Sequence, residues 1–334
     1  MNVLYVVPNL SKVSGGPRTR IAMFKNVFIK DNGLVIENGN KFFKSIVPRK
    51  INKVYVESAT NRINLIDIIS LFFLRFYSKE MTVFIRDIYI ELFPEEYQTL
   101  RSKITLVLNK LSNYYLTLIS TSMVFPTHNM GQVFFDKNKI FPKRKFSELP
   151  PGALLKEDDR VLPDFNEKLG ILYLGSTKYT NSGFDNFIKF SKSYSDTYNF
   201  FVLSGDKDLN QNLAHLPIHL ESVNHNEIAN FITLNNIAFA MHTRPINEYD
   251  ELTFPIKILD FVSLQLPFFS EKHSPLVGLL GSDYRLFLSI NDFENIHKII
   301  NNLSQPEYSS LLGFLKEITK KNTYNERYKK LLTV

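Results

Sequence analysis

The chain has 334 residues and a mass of 38.8 kDa, which suggests about two domains of ordinary size. Hydrophobic residues make up 44% and charged residues 22%, and these proportions exclude a disordered or fibrous protein. Cysteine is absent, which excludes disulfides, zinc–thiolate sites and cysteine nucleophiles. No apolar run reaches the roughly 18 residues that a membrane-spanning helix needs. We expect a cytoplasmic protein that is soluble or bound at a membrane surface.

The charge is unevenly distributed along the chain. Residues 1–165 carry 24 basic and 15 acidic residues, a net charge of +9, whereas the remainder carries 16 and 18, a net charge of −2. A basic half beside a near-neutral half suggests that one lobe faces an anionic partner, such as nucleic acid, a phosphoanhydride substrate or acidic lipid. The alternative is an ordinary solvated basic surface.

The first half of the chain alternates between predicted strands and helices. An apolar run at 3–8 is followed by Gly15 and Gly16 and then by a segment with helical spacing, the opening βα unit of a nucleotide-binding type of fold. Apolar segments at 53–56, 65–77, 81–85, 102–116 and 117–125 continue the alternation. A proline–proline–glycine sequence at 150–152 and the polar segment 156–166 mark a linker.

The second half repeats the pattern. Strands are predicted at 170–174, 200–204, 218–220, 237–241 and 267–269, with helices at 184–194, 226–234 and from 255 onward, and an amphipathic helical end at 307–332. The predicted fold is therefore α/β, with two Rossmann-like doubly wound domains facing a cleft. We place the domains at 1–160 and 161–310, followed by a helical segment at 311–334 that can pack back on the first domain.

The most specific cluster of polar residues lies between 248 and 270. Pro255 suits a helix start, where unpaired N–H groups can bind an anion. Lys257 adds a cation in the first turn, Asp260 follows on nearly the same face, and Glu251 precedes the helix. This combination suits a sugar nucleotide, with the cation near the pyrophosphate and the carboxylates near hydroxyl groups. A capped helix with a surface ion pair is the alternative.

This cluster resembles the donor-binding signature of two-domain GT-B glycosyltransferases, and it is most similar to glycosyltransferase family 4. The matching positions are Glu251, Pro255, Lys257, Asp260 and Pro267. The chain departs from the family pattern at Asp260, where glutamate is usual, and at Leu266, where a glycine is usual before the strand proline. The two acids are also one residue further apart than in the usual form.

Other motifs match the same family in the same order. Gly170, Gly175 and Gly183 resemble the opening strand and glycine loop of the donor domain, Gly205 ends the next strand, and Arg244 ends the strand before the donor loop. By this resemblance, the donor-binding residues are Gly15, Gly16, Lys178, Gly205, Arg244, Glu251, Pro255, Lys257 and Asp260. The resemblance implies a nucleotide-sugar donor, no cofactor, and neutralisation of the leaving diphosphate by cations and helix ends instead of a metal.

Three further sites are less specific. Arg86 and Asp87 follow a predicted strand. Arg86 could hold an acceptor and Asp87 could act as a general base, or the two could form a surface pair. The catalytic candidates are therefore Asp87, Glu251 and Lys257. Asp206 and Asp208 imitate a metal-binding Asp-x-Asp motif, but their position after a strand-end glycine favours a turn. His128 also follows a strand, where a structural role is more usual.

The sequence therefore predicts a metal-independent glycosyltransferase of surface polysaccharide or glycoconjugate synthesis, acting on a glycan or lipid-linked acceptor. The aromatic segments 65–77 and 104–115, within the basic half, suggest a peripheral position on an anionic membrane. A non-catalytic GT-B subunit and a sugar-nucleotide epimerase are the alternatives. Nucleic-acid binding rests on charge alone, because no RRM, KH or zinc pattern is present.

Overall fold

The computed structural model describes residues 3–8, 10–13, 15–37, 51–57, 63–155, 160–178, 181–206, 213 and 215–334. The chain divides into two compact units. The N-terminal unit comprises Met1–Gly152, Leu252–Phe254 and Tyr324–Val334, and the C-terminal unit comprises Ala153–Glu251 and Pro255–Thr323.

The N-terminal unit is built on a six-stranded parallel sheet in the order β2-β1-β3-β4-β5-β6. The strands are β1 (Val3–Val7), β2 (Leu34–Glu37), β3 (Ile51–Glu57), β4 (Ser78–Phe84), β5 (Ser122–Phe125) and β6 (Lys145–Glu148). The helices are α1 (Gly15–Lys30), α2 (Leu65–Tyr77), α3 (Tyr89–Leu92), α4 (Leu100–Ile119) and α5 (His128–Lys137). All residues of β1 and β5 are buried, as expected for strands covered on both faces.

The C-terminal unit is built on a five-stranded parallel sheet in the order β11-β10-β7-β8-β9. The strands are β7 (Gly170–Leu174), β8 (Asn199–Leu203), β9 (His219–Glu221), β10 (Ile237–His242) and β11 (Phe268–Ser270). The helices are α6 (Phe184–Tyr194), α7 (Ile228–Leu234), α8 (Ile256–Ser263), α9 (Ser274–Leu280), α10 (Phe293–Asn302) and α11 (Gln305–Lys321). The two parallel sheets with flanking helices are those of the predicted pair of Rossmann-like domains.

The last helix, α12 (Tyr324–Thr333), belongs to the N-terminal unit although it follows the C-terminal unit in the chain. Its Tyr324 ring packs edge-on against Phe24, and its Tyr328 ring packs against Phe28. The side chain of Lys53, which is wholly buried in β3, donates from Nζ to the carbonyls of Leu331 at 2.9 Å and Val334 at 2.7 Å. The helical end predicted at 307–332 is thus two helices, which lie in different units.

No helix in the described part of the chain is both long enough and apolar enough to cross a membrane.

Candidate functional site

The carboxyl ends of the C-terminal strands carry most of the polar residues that the sequence singled out. All five strands are parallel, so the loops that follow β7, β8 and β10 leave the sheet at the same edge. The loop after β7 is fixed to the loop after β10, because Thr243 Oγ1 donates to the carbonyl of Gly183 at 2.7 Å. In open α/β sheets this edge is where ligands bind.

Lys257 lies over this edge. Helix α8 begins at Ile256, so Pro255 is the residue that precedes the helix. The sequence had predicted Pro255 as the first helical residue. The Lys257 ammonium lies 5.7 Å from the ring centre of Tyr173, and a Cβ added to Gly175 would lie only 1.8 Å from Lys257 Nζ. Gly175 also has a φ of +137°, which disfavours any side chain there. The lysine is therefore held against a position that must be glycine.

Several charged groups act on the Lys257 ammonium. Burial lowers its pKa and the nearby Arg244 lowers it further, while Asp206 and Asp260 act in the opposite direction. Lys257 forms no ion pair with any of the described residues. A half-buried cation without a bonded carboxylate is suited to bind an anion from outside the chain.

Arg244 lies just beyond β10 and adds a second cation. Its Nη2 donates to the buried carboxylate of Asp250 at 2.8 Å, while its buried Nε has no hydrogen-bond partner among the described residues. Asp250 is itself held by the Asn247 side chain, which accepts from the Asp250 N–H at 3.0 Å. Arg244 is thus fixed in position, and its buried Nε–H group is unpaired among the described residues.

Asp206 holds the glycine loop after β7. Its Oδ2 accepts from the Thr177 N–H at 2.7 Å and from Ser176 Oγ at 2.8 Å. Partial burial raises the pKa of this carboxyl, but the hydrogen bonds lower it more, and the net shift is downward. The carboxylate is thereby used in shaping the loop. Asp208, the other acid of the Asp-x-Asp sequence, lies outside the described residues.

Glu251 lies in the loop before α8, and its carboxylate contacts the first residue of α9. Its Oε2 accepts from the N–H and the hydroxyl of Ser274, at 2.9 and 2.6 Å. Partial burial raises the pKa of Glu251, and the Ser274 hydrogen bonds together with His273 outweigh it and lower the pKa. The predicted catalytic carboxylate is therefore anchored and ionised.

Asp260 lies on α8 with His225 as a neighbour, 3.7 Å from Oδ1 to Nε2. Both side chains are partly exposed. The alternative arrangement, a surface ion pair between Lys257 and Asp260, is not among the ion pairs of the described residues, although the charge of Asp260 acts to raise the pKa of Lys257. Instead, the lysine packs over Gly175 and the aspartate lies beside the histidine.

Two further predicted residues, Lys178 and Gly205, lie in the loops that follow β7 and β8. Lys178 lies in the loop after β7 with an exposed side chain, and its backbone N–H donates to Ser176 Oγ at 3.3 Å. Gly205 follows β8, and a Cβ added there would meet nothing within 4 Å. At this edge Gly175 and Gly183 therefore require glycine, whereas Gly205 does not.

The sequence did not indicate the paired histidines at the same edge. His242 ends β10 and its ring stacks on that of His273 at 6.2 Å between centres. Burial, together with repulsion from His273, Lys257 and Arg244, lowers the pKa of His242 to about 3. Neither residue stands in a recognisable motif, and only the pairing of β10 with β11 brings the two together.

The N-terminal unit has its own set of predicted residues. Gly15 begins α1 with a φ of +64°, and Gly16 lies in the first turn of that helix. Arg86 and Asp87 follow β4, with 3.6 Å between Nη2 and Oδ2. Asp87 Oδ1 also accepts from the Tyr89 N–H at 3.4 Å. These residues follow strands of the N-terminal sheet and lie on the side of its carboxyl edge.

His128 is the remaining candidate. His128 begins α5, is exposed, and stacks on Phe146 with 5.0 Å between ring centres. Within the described part of the chain, no three His, Asp or Glu side chains form a group that could hold a metal ion.

No protein-family model and no curated protein sequence matches this chain. Its structure, in contrast, matches solved glycosyltransferases over its full length. HepE of Anabaena, in complex with UDP-glucose, has a TM-score of 0.65 at 12% identity and is matched over 99% of this chain and 100% of its own. The lipopolysaccharide outer core galactosyltransferase WaaB has a TM-score of 0.62 at 9% identity, over 100% and 99% of the two chains.

A third match is an alpha-glucosyltransferase in complex with UDP and a 13-mer DNA, with a TM-score of 0.64 at 11% identity over 100% of this chain and 99% of its own. The chain spans only 56% of its match in the GtfA/B complex, at a TM-score of 0.54. At these identities the likeness establishes the fold. The chain has the GT-B fold of the two-domain glycosyltransferases, as the sequence predicted.

Proposed function

We propose that the protein is a glycosyltransferase that moves a sugar from a nucleotide-sugar to a glycan or lipid-linked acceptor, in surface polysaccharide or glycoconjugate synthesis. The C-terminal unit would bind the donor and the N-terminal unit the acceptor. The observation that carries this proposal is the ammonium of Lys257, half-buried against Gly175 and without a bonded carboxylate.

The donor diphosphate suits the charges around Lys257. The first backbone N–H groups of α8 have no intrahelical acceptor, and the helix dipole favours negative charge at this end. The Lys257 ammonium and the Arg244 guanidinium add two cations. As the bond from the sugar to the diphosphate breaks, charge develops on the phosphate oxygens, and these groups would neutralise it without a metal.

The carboxylates would bind the hydroxyl groups of the donor. Glu251 and Asp260 correspond by resemblance to the two acids of the family signature, which accept hydrogen bonds from the sugar and the ribose. Glu251 is kept ionised by Ser274, so it remains an acceptor at neutral pH. In the N-terminal unit, Arg86 would contact the acceptor, and Asp87 would accept its proton if the reaction inverts the anomeric centre.

A thermal-stabilisation screen with nucleotide-sugars tests the donor site. A donor present at 100 times its Kd should stabilise the protein by about 2.7 kcal/mol. Lys257→Ala should remove this stabilisation and lower kcat/KM by about 10²–10³-fold, the usual effect of losing one electrostatic donor. Lys192→Ala, an exposed lysine on α6, is the matched control and should leave both unchanged. Unchanged donor affinity in Lys257→Ala would contradict the assignment.

Dependence on acceptor and metal distinguishes the rival functions. Product that forms from the nucleotide-sugar without an acceptor would indicate an epimerase, and stabilisation without any turnover would indicate a non-catalytic subunit. Turnover should persist in EDTA. Activity that EDTA abolishes and magnesium or manganese restores would contradict the metal-independent mechanism.

A further inference from the structure

Helix α2 has an unusual outer face. Its exposed residues are all apolar or aromatic: Leu65, Ile66, Ile69, Phe72, Phe73, Phe76 and Tyr77. Leu65 is 70% exposed and Phe76 is 72% exposed, whereas the polar Asp67 and Ser70 are buried. A helix on the surface of a globular protein ordinarily shows the opposite arrangement. The face of α2 that points away from the sheet is therefore suited to an apolar environment.

Helix α4 presents a matching stripe. The exposed apolar residues follow a spacing of four and three and so lie on one side of the helix: Leu100, Ile104, Val107, Leu111, Tyr114 and Leu118. The two helices are neighbours, because Tyr115 OH donates to the Ile68 carbonyl at 2.5 Å and the Ile63 N–H donates to Ser112 Oγ at 3.3 Å. We call the combined surface of α2 and α4 the two-helix face.

A cluster of cations lies at one end of the two-helix face. Residues 100–145 contain eight basic residues and a single acidic one, Asp136. Arg144 donates to the carbonyls of Thr117 and Leu118 at the end of α4. The Tyr114 ring contacts Phe141 at 5.4 Å, which brings Ile140, 86% exposed, and the exposed Lys139 and Lys143 to the same end.

We propose that the two-helix face docks the protein on an anionic lipid bilayer. The aromatic and aliphatic side chains would enter the boundary between headgroups and acyl chains, and the clustered lysines and arginines would contact acidic headgroups. Charge favours this partner over a second copy of the chain, because residues 100–145 carry eight basic residues and one acidic residue, and two copies paired through this face would bring like charges together. Docking does not depend on the proposed transferase function. The further point that the acceptor is lipid-linked does rest on that proposed function.

Co-sedimentation with phosphatidylcholine vesicles, with and without phosphatidylglycerol, tests the proposal. The protein should sediment only with the anionic vesicles and should be released as the salt rises from 0.1 M to 1 M, since the Debye length falls from about 10 Å to about 3 Å. Phe72→Ser combined with Phe76→Ser should lower the partition coefficient by about tenfold or more. Lys139→Glu combined with Lys143→Glu should lower it by about 25-fold or more, at about fivefold for each lost lysine.

Matched controls lie in the C-terminal unit. Leu234→Ser removes an exposed apolar residue, 75% exposed, and Lys192→Glu with Lys321→Glu reverses two exposed lysines. Neither control should change vesicle binding. Variants that lose vesicle binding should still be stabilised by the nucleotide-sugar that stabilises the wild type, so a failure of docking can be told apart from a failure of the transferase assignment.

Several results would overturn the docking proposal. Equal recovery in the supernatant with both vesicle types would do so, as would an equal loss of binding in the Leu234→Ser control. A dimer that the phenylalanine variant dissociates, without vesicle binding, would assign the two-helix face to a second copy of the chain. Tight, salt-sensitive binding to duplex DNA that the lysine variant abolishes and the phenylalanine variant leaves intact, again without vesicle binding, would assign the cluster of cations to nucleic acid.

Discussion

Gly175 fixes the position of the Lys257 ammonium, and this contact can be tested separately from the charge of the lysine. A methyl group at Gly175 would overlap Lys257 Nζ and Cε, at 1.8 and 2.4 Å, and would displace the side chain. Gly175→Ala should therefore lower donor affinity and kcat/KM nearly as much as Lys257→Ala, about 10²-fold or more. Donor titration and steady-state kinetics measure both effects.

Gly313→Ala, at an exposed position in α11, is the matched control, because a methyl group there meets nothing within 4 Å. Its donor affinity should stay within about twofold of the wild type. The effects of Gly175→Ala and Lys257→Ala should not add in the double variant, since both act on one interaction. Additive losses would show that Gly175 acts through the fold of its loop and not through the lysine.

His242 makes the stability of the C-terminal unit depend on pH. Its pKa in the folded protein is about 3, against about 6.5 when unfolded, so the unfolded chain binds a proton that the folded chain does not. The contribution of His242 to the free energy of unfolding should therefore be fully present above pH 6.5. It should be lost as the pH drops toward 3, by up to about 1.4 kcal/mol per pH unit. Burial lowers the pKa of His273 as well and adds to the same trend.

Urea unfolding of the C-terminal unit between pH 7.5 and pH 5 measures this slope. His242→Asn should reduce the slope by about one proton, whatever it does to the stability at pH 7.5. His128→Asn, at an exposed position in the N-terminal unit, should leave it unchanged. A slope that persists in His242→Asn would assign the proton to another group.

Residue types and their order along the chain were enough to identify Lys257, Glu251 and Asp260 as candidates, because a lysine after a helix-starting proline is a local pattern. Contacts made across the sheet were not accessible in this way. The packing of Lys257 on Gly175 joins positions 82 residues apart, and the Glu251–Ser274 hydrogen bonds depend on where α9 begins. Such contacts depend on the tertiary fold and leave no periodic trace in the sequence.

At the scale of the element, the end of α8 shows how a departure from a family pattern is accommodated. The residue with left-handed backbone geometry is Gln265, with a φ of +49°, and not Leu266, which we had aligned with the usual glycine. Leu266 is instead wholly buried in the core. A glutamine in this conformation costs about 1 kcal/mol relative to glycine.

Gln265→Gly should relieve about 1 kcal/mol of left-handed strain but also removes a buried side chain, so the stability of the C-terminal unit should stay within about 1 kcal/mol of the wild type. The backbone carbonyl of residue 265 would keep its hydrogen bond from Arg160 Nη1, 3.0 Å in the present structure. Leu266→Gly is the contrasting variant and should destabilise the unit by several kcal/mol through loss of a buried side chain. Thermal unfolding of both variants measures the two changes in stability.

The buried strands were the most predictable elements, since fully buried parallel strands are short apolar runs bounded by turns. The less buried strands β2 and β6 were not predicted. A buried polar network escaped the same reasoning. Arg20 Nε donates to Glu57 at 2.8 Å, Tyr5 OH donates to the same carboxylate at 3.0 Å, and all three side chains are buried. These residues come from α1, β3 and β1, so their pairing follows from the strand order and not from sequence spacing.

At the scale of the whole molecule, the chain completes its first unit with its last helix. Lys53 connects the two, because its Nζ donates to the carbonyls of Leu331, Leu332 and Val334 and lies 3.4 Å from Glu80 Oε2. A positive charge at the C-terminal end of α12 also complements the helix dipole. Three carbonyls therefore depend on one buried cation.

Lys53→Met should leave these carbonyls without their donor and destabilise the N-terminal unit by about 1–3 kcal/mol. Amide hydrogen exchange in Tyr324–Val334 should become faster, and exchange in the C-terminal unit should not change. Lys25→Met, which breaks the partly exposed Lys25–Glu37 pair, is the matched control and should cost less than about 1 kcal/mol. If α12 kept its protection in Lys53→Met, the aromatic contacts of Tyr324 and Tyr328 with α1 would be sufficient to hold the helix, and the buried lysine would have no part in joining the end of the chain to its beginning.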